Sequence, residues 1–266
     1  MNIAAIINNI NQAVDVKEYV DAYLLPIKTF SINYLNTFTI EEIKEIKKLN
    51  KKIFIIVNKN IHNNELKELE ETLKQIDKLN IQGIIFYDIA IVNLKQKLFL
   101  KTALVWAQEH LTTNYGTINY WQEKNVDYAY LSSELTKREI EEIRKNTKVK
   151  LFVNIFGYIP MFTSKRHLVN NYLETFGLKS HGKNTIFKEE KTYPIVDTKN
   201  GTTVYSNYIL NATNEEFKTI DYLVFNSNFI DEKDFAEVLK NYKEKKTNKF
   251  KIETGFLYKE TIYKVK

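Results

Sequence analysis

The stretch from Ile53 to Tyr87 decides how this chain folds. It begins with the apolar run Ile53-Phe54-Ile55-Ile56-Val57, continues through the amphipathic stretch Asn64–Leu79, and ends in a second apolar run, Gly83-Ile84-Ile85-Phe86-Tyr87. Both runs are apolar at nearly every position, which is typical of strands that are covered on both faces. A strand, a helix and a strand in this order predict a parallel strand pair with the helix packed outside it.

The same alternation extends outward from this stretch over the first 155 residues. The predicted strands are Ala22–Pro26, Ile53–Val57, Gly83–Tyr87, Ala103–Trp106, Tyr128–Leu131 and Val149–Ile155, and the predicted helices are Thr39–Leu49, Asn64–Leu79, Ile89–Leu98, Gly116–Lys124 and Thr136–Lys145. Six such units favour an α/β fold of the TIM-barrel-like (β/α) type, complete or incomplete, over an open doubly wound sheet. The chain has only seven glycines and no Gly-rich phosphate loop, which also argues against the open sheet.

The pattern changes after a predicted helix at Lys165–Phe176. We therefore divide the chain into a (β/α) barrel core, residues 1–176, and a small β-rich segment, residues 177–266, that completes or caps the barrel. Its predicted strands are Thr185–Lys188, Tyr193–Val196 and Thr202–Tyr205, with a hairpin turn at Asn200-Gly201. A further pair, Tyr222–Phe225 and Glu232–Asn241, could complete the barrel, and Phe250–Glu253 with Thr261–Val265 could form a cap.

The composition limits the classes of function. The formal net charge is +6, and the region Lys240–Lys266 carries that excess among aromatic residues, which suits either an RNA-binding surface or a solvated edge. The chain contains no cysteine, which excludes thiol nucleophiles and cysteine-ligated zinc or iron–sulfur clusters held by this chain alone. The N-terminus does not resemble a signal peptide, and no apolar run approaches the roughly 18 residues of a membrane span, so we expect a cytoplasmic protein.

The segment from Phe156 to Leu168 carries the densest candidate chemistry. Lys165, Arg166 and His167 stand where the helix Lys165–Phe176 is predicted to begin. Cations at a helix N-terminus oppose the helix dipole, so these residues form either an anion-binding site or an ordinary solvated surface. We predict anion binding by these three side chains.

Polar residues at the carboxyl ends of the predicted strands form the candidate pocket, because that end of a barrel holds the active site. The candidates are Asn58, His62, Asp88, Thr113, Asn114, Ser132, Glu134, Gly157, Tyr158, Ser164 and Arg166. Such a ring could hold an anionic metabolite or a nucleobase, although Asp88 and Ser132 could equally cap the helices that follow them. The four histidines lack metal-ligand spacing, so we predict no metal site, and we assign no catalytic residue.

Several blocks of the chain resemble one known family. The run Gly157-Tyr158-Ile159-Pro160-Met161-Phe162-Thr163-Ser164-Lys165-Arg166-His167-Leu168 is similar to the hallmark segment of the collagenase-like peptidase U-32 family. Further similar blocks, in order, are Asn58–His62, Asp88, Thr113-Asn114, Leu131–Thr136, Tyr193–Asp197 with Gly201-Thr202, and Thr254–Lys266. The chain most resembles a short branch of that family whose members lack cysteines.

The resemblance implies a function other than proteolysis. Several relatives act in the hydroxylation of C5 of the wobble uridine of tRNA, with prephenate as a required metabolite, and they carry cysteines that bind an iron–sulfur cluster. Two of those cysteines fall where this chain has Pro160 and His167. The resemblance thus implies a cluster-less subunit that supports 5-hydroxyuridine formation, with the cluster in a longer, cysteine-bearing paralogue and tRNA as a further partner. A collagenase-like peptidase and a non-catalytic scaffold for that paralogue are the alternatives.

Overall fold

Eight parallel strands close into a barrel in the computed structural model, which describes residues 1–108, 110–179 and 184–259. The barrel strands are β1 (Asn2–Ile6), β2 (Ala22–Pro26), β3 (Lys52–Val57), β4 (Gly83–Phe86), β5 (Ala103–Trp106), β6 (Tyr128–Tyr130), β7 (Lys150–Ser164) and β11 (Tyr222–Asn226). Tyr222 of β11 pairs in parallel with Asn2 of β1 on one side and with Phe152 of β7 on the other, so the sheet has no open edge there. The predicted TIM-barrel-like fold is confirmed.

Eight α-helices and one short 3-10 helix, Asn63–Glu65, occur among the described residues, and most of the α-helices follow a barrel strand. They are α1 (Ile10–Val16), α2 (Ile40–Lys47), α3 (Leu66–Lys78), α4 (Ala90–Leu98), α5 (Tyr115–Glu123), α6 (Lys137–Asn146), α7 (Leu168–Thr175) and α8 (Glu232–Lys243). Thr39 and Thr136 begin α2 and α6 with capping boxes, in which each threonine and the glutamate three residues later satisfy each other's backbone amides. None of these helices is long and apolar enough to cross a membrane, as far as the structure describes the chain.

Aromatic rings fill the interior of the barrel. The Phe54 ring lies edge-on to the rings of Tyr128, Phe152 and Tyr222, with centroid distances of 5.5, 5.1 and 5.4 Å. Phe152 and Tyr222 stack with their centroids 4.3 Å apart. A second, larger apolar layer lies between the strands and the surrounding helices. The barrel is therefore a packed core with space left only near its ends.

An antiparallel extension rises from the barrel, and we call it the arm. It consists of Gly157–Ser164 of β7, helix α7, and the strands β8 (Asn184–Lys188), β9 (Lys191–Thr198) and β10 (Gly201–Asn211). The strand order is β7-β10-β9-β8. The tight turn between β9 and β10 lies at the predicted Asn200-Gly201 hairpin, where Gly201 pairs with Thr198. Because the arm continues β7 beyond its pairing with β6 and β11, it stands at the carboxyl end of the barrel.

Three predictions about the elements were wrong. The strand predicted at Val149–Ile155 does not stop there but continues to Ser164, because β10 takes over as its partner after the barrel ends. Accordingly the following helix begins at Leu168 and not at Lys165. The first unit, β1 and α1, was missed because β1 contains two alanines, which are weak strand formers, and two asparagines follow it. The segment after Ile155 therefore extends the seventh barrel strand and not the sixth.

The C-terminal region also differs from expectation. Phe250–Glu253 does not form a strand, and only Glu253 makes an isolated bridge, to Asn211. The predicted partner strand, Thr261–Val265, lies outside the described residues. β11 supplies the eighth barrel strand and comes from the segment 177–266. The division of the chain at residue 176 stays a proposal.

Candidate functional site

A narrow cavity lies at the carboxyl end of the barrel, and we call it the mouth cavity. Its volume is about 50 Å³, enough for a few water molecules and too small for a nucleobase unless side chains move. Its wall is apolar or neutral and polar, formed by Ile6, Asn33, Tyr34, Ile56, Asn58, Ile85, Tyr87, Ala107, Tyr130, Leu131, Ser133, Asn154, Tyr158, Pro160 and Asn226. No Lys, Arg, Asp or Glu is among these lining residues. The cavity therefore suits a neutral group that forms hydrogen bonds.

The polar groups of the wall are held in fixed orientations by one another. The Tyr130 hydroxyl donates to Oδ1 of Asn154, whose Nδ2 donates to Oγ of Ser133 at 2.9 Å. The ring of Tyr158 lies edge-on to Phe229 at 5.6 Å, and burial raises the pKa of the Tyr158 hydroxyl. Tyr158 thus stays protonated and can donate a hydrogen bond at neutral pH.

Asn58 lines the mouth cavity, but both polar atoms of its side-chain amide form hydrogen bonds to the backbone. Its Oδ1 accepts from the amide of Ile32 at 2.9 Å, and its Nδ2 donates to the carbonyl of Ile32 at 3.2 Å. The side chain is almost fully buried. Asn58 therefore fixes the loop between β2 and α2 and so shapes the cavity.

The same loop also anchors the arm. Oδ1 of the buried Asn33 accepts hydrogen bonds from the hydroxyls of Thr163 at 2.7 Å and Thr203 at 2.9 Å. Nδ2 of Asn200, in the β9–β10 turn, donates to the carbonyl of Ser31 at 2.8 Å. One loop thus joins the barrel to β7, to β10 and to the β9–β10 turn of the arm.

Three other predicted residues cap local structure. Asp88 accepts from the amides of Ala90 at 2.9 Å and Ile61 at 2.8 Å, so both carboxylate oxygens are engaged. Oγ of Ser132 accepts from the amide of Glu134 at 3.2 Å. Oδ1 of Asn114 accepts from the amide of Thr117 at the start of α5.

Thr113 and Glu134 point outward. Both are exposed, and Glu134 lies 3.4 Å from Nδ1 of the equally exposed His110. Neither residue lines the mouth cavity.

Three basic residues, Lys165, Arg166 and His167, follow the end of β7 outside the lining of the mouth cavity, and we call this region with the neighbouring His62 the rim. Nζ of Lys165 lies 2.6 Å from Nε2 of His62 and 3.2 Å from the carbonyl of Asn60, which brings the loop after β3 to the end of β7. The Arg166 side chain is exposed, and its guanidinium has no partner among the described residues. His167 is exposed and makes no capping hydrogen bond to α7. A free guanidinium beside Lys165 is a suitable fork for a carboxylate or phosphate.

Side chains of the arm already accept hydrogen bonds from the backbone amides at the start of α7. The carboxylate of Asp197 accepts from the amides of Asn170 at 2.9 Å and Val169 at 3.4 Å, and Oγ1 of Thr202 accepts from the amide of Leu168. This acidic partner offsets the basic residues before the helix. Any anion would therefore bind to the Lys165 and Arg166 side chains and not to the helix end.

The structure thus separates the predicted pocket into parts. Asn58, Gly157 and Tyr158 lie at or beside the mouth cavity, while His62, Ser164, Lys165, Arg166 and His167 lie along the rim. The sequence interpretation missed Tyr87, Tyr130, Ser133, Asn154 and Asn226, which line the cavity. In two cases the inward residue is the immediate neighbour of the one chosen, Tyr87 beside Asp88 and Ser133 beside Ser132. That both clusters serve one ligand stays a prediction.

Gly157 has a geometric role where the barrel meets the arm. Its φ is +117°, and a Cβ atom at this position would lie 2.4 Å from the carbonyl oxygen of Asn226. Only glycine fits here. The residue lets β7 pass close to the end of β11 and continue into the arm.

Comparison with known proteins places most of this sequence in one family. The sequence profile of peptidase family U32 matches residues 10–254.

The chain belongs to peptidase family U32.

Curated relatives of this U32 protein include proteins named for tRNA hydroxylation. The tRNA hydroxylation protein P2 of Bacillus subtilis is 26% identical, and the alignment covers 91% of this chain and 92% of that protein. The tRNA hydroxylation protein P of Escherichia coli is 29% identical over 49% of this chain and 29% of its own length. The second protein is thus matched only in part.

A solved structure supports the fold. The U32 peptidase Mk0906 superimposes with a TM-score of 0.56 at 11% identity, covering 85% of this chain and 92% of that one. At this identity the likeness concerns the fold alone.

An iron–sulfur cluster like that of the cysteine-bearing members does not fit this chain. The chain contains no cysteine, and Pro160 and His167 occupy the two positions that resemble the family's cysteines. In the described part of the chain, no three His, Asp or Glu side chains are grouped so that they could hold a metal ion. The residues present therefore offer no thiolate ligand for a cluster.

Proposed function

We propose that this U32 protein supports the hydroxylation of tRNA at C5 of the wobble uridine, as a subunit without an iron–sulfur cluster of its own. The observation that carries the proposal is the match to tRNA hydroxylation protein P2, which extends over 91% of this chain and 92% of that protein. A match that extends over nearly the full length of both proteins is expected when the two proteins have the same role. tRNA modification of this kind would place the protein in the cytoplasm.

The two clusters suggest a division of labour in this function. The mouth cavity, with its tyrosines and asparagines, would accept a neutral group such as the edge of a flipped base, after side-chain movement widens it. Lys165 and Arg166 at the rim would hold an anion, either a phosphate of the RNA or a carboxylate of a metabolite such as prephenate. Uncharged groups in the centre and cations at the rim match a nucleotide, which has a neutral base and an anionic backbone.

The redox step requires a partner, because the chain has no cysteine. A longer, cysteine-bearing relative of the same family is the candidate. The tRNA hydroxylation protein P1 of B. subtilis is matched over 52% of this chain but only 34% of its own length, so it contains much that this chain lacks. In this proposal the present chain contributes binding and positioning, and the partner contributes the cluster.

Three lysines of the basic C-terminal region are engaged in ion pairs. Lys246 pairs with Glu244 at 2.6 Å, Lys259 with Glu253 at 3.8 Å, and Lys249 pairs with Asp234. If Lys240–Lys266 still contacts several phosphates, the affinity for tRNA will fall by orders of magnitude between about 50 and 200 mM salt. A flat salt response would assign this region to the solvated edge.

Deletion of the gene tests the function directly. Mass spectrometry of bulk tRNA nucleosides should then show loss of 5-hydroxyuridine and its derivatives, restored by the wild-type gene. Complementation with Arg166→Ala should restore little of the modification, whereas Arg138→Ala, also an exposed arginine but on α6, should restore it fully. Unchanged nucleosides in the deletion strain would refute the proposal.

A peptidase is the second candidate, favoured by the name of one relative. The "uncharacterized protease" MJ0090 of Methanocaldococcus jannaschii is 28% identical over 53% of this chain. Against this candidate, both oxygens of Asp88 are bonded to backbone amides, and the His110–Glu134 pair is exposed and lies outside the mouth cavity. Incubation of the purified chain with gelatin tests it, and cleavage that disappears in Asp88→Asn or Glu134→Gln would support a peptidase. Co-purification with the longer relative, without any affinity for tRNA, would favour a scaffold.

A further inference from the structure

An apolar groove lies on the arm, between α7 and one face of the arm sheet. Its volume is about 740 Å³, within the range of roughly 300–1,000 Å³ that is usual for ligand sites. The lining comes from α7 and from all four strands of the arm, and it includes Phe162, Leu168, Tyr172, Ile186, Ile195 and Val204. Unlike the mouth cavity, the groove can therefore accept a planar ring without being widened.

Aromatic rings are exposed along this groove. Phe162 is 53% exposed and Tyr172 57%, and the ring of Phe176, which is 63% exposed, lies with its centroid 4.8 Å from that of Tyr172. Exposed aromatic rings are the surfaces on which unpaired nucleobases stack, because every base has a π-face. Stacking of this kind favours single-stranded nucleic acid, since the bases of a duplex are already stacked on one another.

An irregularity in the arm sheet directs neighbouring parts of β7 to different sites. The register between β7 and β10 shifts between Val204 and Tyr205, whose partners on β7 are Phe162 and Pro160. Phe162 lines the groove, whereas Pro160 lines the mouth cavity. A bulge changes the direction of side chains in this way. The arm thus lies between the groove and the mouth cavity.

Cations gather at the end of the groove where β7 leads into α7. Lys165, Arg166 and His167 form this connection, and all three are exposed. The exposed Lys199 lies close to them in the β9–β10 turn, because a Cβ atom on Gly201 would lie 2.8 Å from Cα of Lys165. Three permanent positive charges, those of Lys165, Arg166 and Lys199, therefore flank this end of the groove.

The acidic residues nearest to these cations do not face the groove freely. Asp197 accepts hydrogen bonds from two backbone amides at the start of α7. Glu174 lies two positions beyond Tyr172, which is about 200° around the helix axis, so it is on the far side of α7 from the groove. The end of the groove beside the rim thus attracts anions.

The charges at the opposite end of the groove balance one another. Lys188 and Lys191 flank the β8–β9 turn, which contains Glu189 and Glu190, and Lys188 pairs with Glu189 at 3.8 Å. From Phe162 to Val204 the described basic residues besides His167 are Lys165, Arg166, Lys179, Lys188, Lys191 and Lys199, and the acidic residues are Glu174, Glu189, Glu190 and Asp197. Six positive and four negative charges leave an excess of two, and the balance at the far turn places this excess toward the rim. Exposed rings beside a cationic end match a single strand of nucleic acid.

We propose that the groove binds single-stranded RNA, with unpaired bases stacked on Phe162 and Tyr172 and adjoining phosphates held by Lys165, Arg166 and Lys199. This inference rests on the proposed function, in which the substrate is tRNA and the wobble uridine lies in its unpaired anticodon loop. It assigns the cations of the rim to RNA phosphates and not to the carboxylate of a metabolite. The loop then passes the rim on its way from the groove to the mouth cavity.

Fluorescence anisotropy of the full chain with a labelled RNA hairpin, whose loop is an anticodon loop with a wobble uridine, tests the proposal. Phe162→Leu and Tyr172→Leu should each weaken binding about fivefold or more, because the ring is lost while most of the apolar surface is kept. Phe162→Tyr should bind like the wild-type chain, since it keeps the ring. Met161→Leu is the matched control, because Met161 is also 53% exposed but does not line the groove, and it should leave the affinity unchanged.

The phosphate contacts are tested by the dependence of the affinity on salt. Lys199→Ala should weaken binding and lower the slope of log affinity against log salt concentration by about 0.7, the value for one phosphate contact on a single strand. Lys145→Ala, also an exposed lysine but on α6, should change neither quantity. A fully base-paired RNA without the loop should bind more weakly, and with the same affinity to both leucine variants of the groove as to the wild-type chain.

Circular dichroism should confirm that all variants fold. Hairpin affinities that both leucine variants of the groove leave unchanged would overturn the proposal, and so would a wild-type chain that does not bind the hairpin. If these two variants instead lose binding to a longer U32 relative, the groove serves that protein and the RNA site is wrong.

The proposed function is judged separately, by the nucleosides of the deletion strain. If deletion removes the wobble modification but both leucine variants restore it fully, the function stands and the groove is not the RNA site. If deletion leaves the nucleosides unchanged while hairpin binding still depends on the two rings, the groove is an RNA site and the proposed function is wrong.

Discussion

The two halves of β7 lie in different surroundings although they form one continuous strand. Lys150–Phe156 pairs in parallel with β6 and β11, and its Phe152 is fully buried inside the barrel. Gly157–Ser164 pairs antiparallel with β10, and its Phe162 is half exposed. The local sequence is similarly apolar in both halves. The apolar sequence pattern therefore determines that a strand forms, while the neighbouring elements determine whether its side chains are buried or exposed.

The junction between the halves should be the most sensitive point. We expect Gly157→Ala to destabilise the protein by about 4 kcal/mol or more, because its Cβ would collide with the Asn226 backbone and its φ of +117° is strained for alanine. The free energy of unfolding, measured with urea, checks this. Gly177→Ala is the control, since nothing lies within 4 Å of its Cβ position and only the cost of its φ of +62° remains, about 1 kcal/mol. Equal losses in both variants would show that the junction is not tightly packed.

One phenylalanine in each half gives a matched pair. Phe152→Ala should cost about 3–5 kcal/mol, because it empties space between Phe54, Tyr130 and Tyr222. Phe162→Ala should cost much less, about 1 kcal/mol, because roughly half of the Phe162 side chain is already exposed. Urea unfolding at low protein concentration measures both, and a large loss for Phe162→Ala would mean that the arm is a core in its own right.

Asn33, in the loop that holds the arm to the barrel, allows the stability of the arm to be tested separately from that of the barrel. Asn33→Gly removes the acceptor for Thr163 and Thr203 but retains a residue that tolerates the φ of 68° at this position. The loss of these two hydrogen bonds should lower the free energy of unfolding by about 2 kcal/mol. Hydrogen exchange should accelerate in residues 157–164 and 201–205 but not in 150–156. Uniform acceleration in both halves would contradict the separation of the two regions.

The smallest expected effect concerns Glu215, where the chain returns from the arm to the barrel. Burial raises the pKa of Glu215, but hydrogen bonds from Lys137, at 2.7 Å, and from Tyr258 outweigh it, so the pKa lies below its usual value. A lowered pKa stabilises the fold above the unfolded-state value of about 4.3, and this contribution disappears as the pH falls through the lower folded-state value. Glu215→Gln should therefore cost about 1 kcal/mol at pH 7 and nothing at acidic pH. A loss that does not change with pH would point to packing instead of charge.

The sequence predicted the barrel well, because each unit carries its own signal. Strands such as Ala22–Pro26 and Ala103–Trp106 were predicted at their observed bounds. Those runs are apolar, of strand length and flanked by amphipathic helices, so local pattern was sufficient. The strand β1 was missed because two of its five residues are alanines, which are weak strand formers, and its burial depends on β11, which lies more than 200 residues away.

The site was predicted less well, because its geometry depends on which way each side chain points. Alternation along a strand turns one neighbour inward and the next toward the following helix. Thus Tyr87 lines the mouth cavity and Asp88 caps α4. The surroundings of the predicted anion-binding residues depended equally on a distant residue, since Asp197 accepts hydrogen bonds from the amides at the start of α7. Anion binding by Lys165, Arg166 and His167 stays a prediction.

The amino-acid sequence alone was enough to predict the alternation of strands and helices from β2 to β7, the absence of any thiolate ligand and the position of the basic segment. These are local properties of composition and periodicity. Only the tertiary structure decided that β11 closes the barrel, that β7 continues into an arm, and which polar side chains face the mouth cavity. Each of these depends on contacts between residues far apart in the chain, and such contacts leave no periodic trace in the sequence.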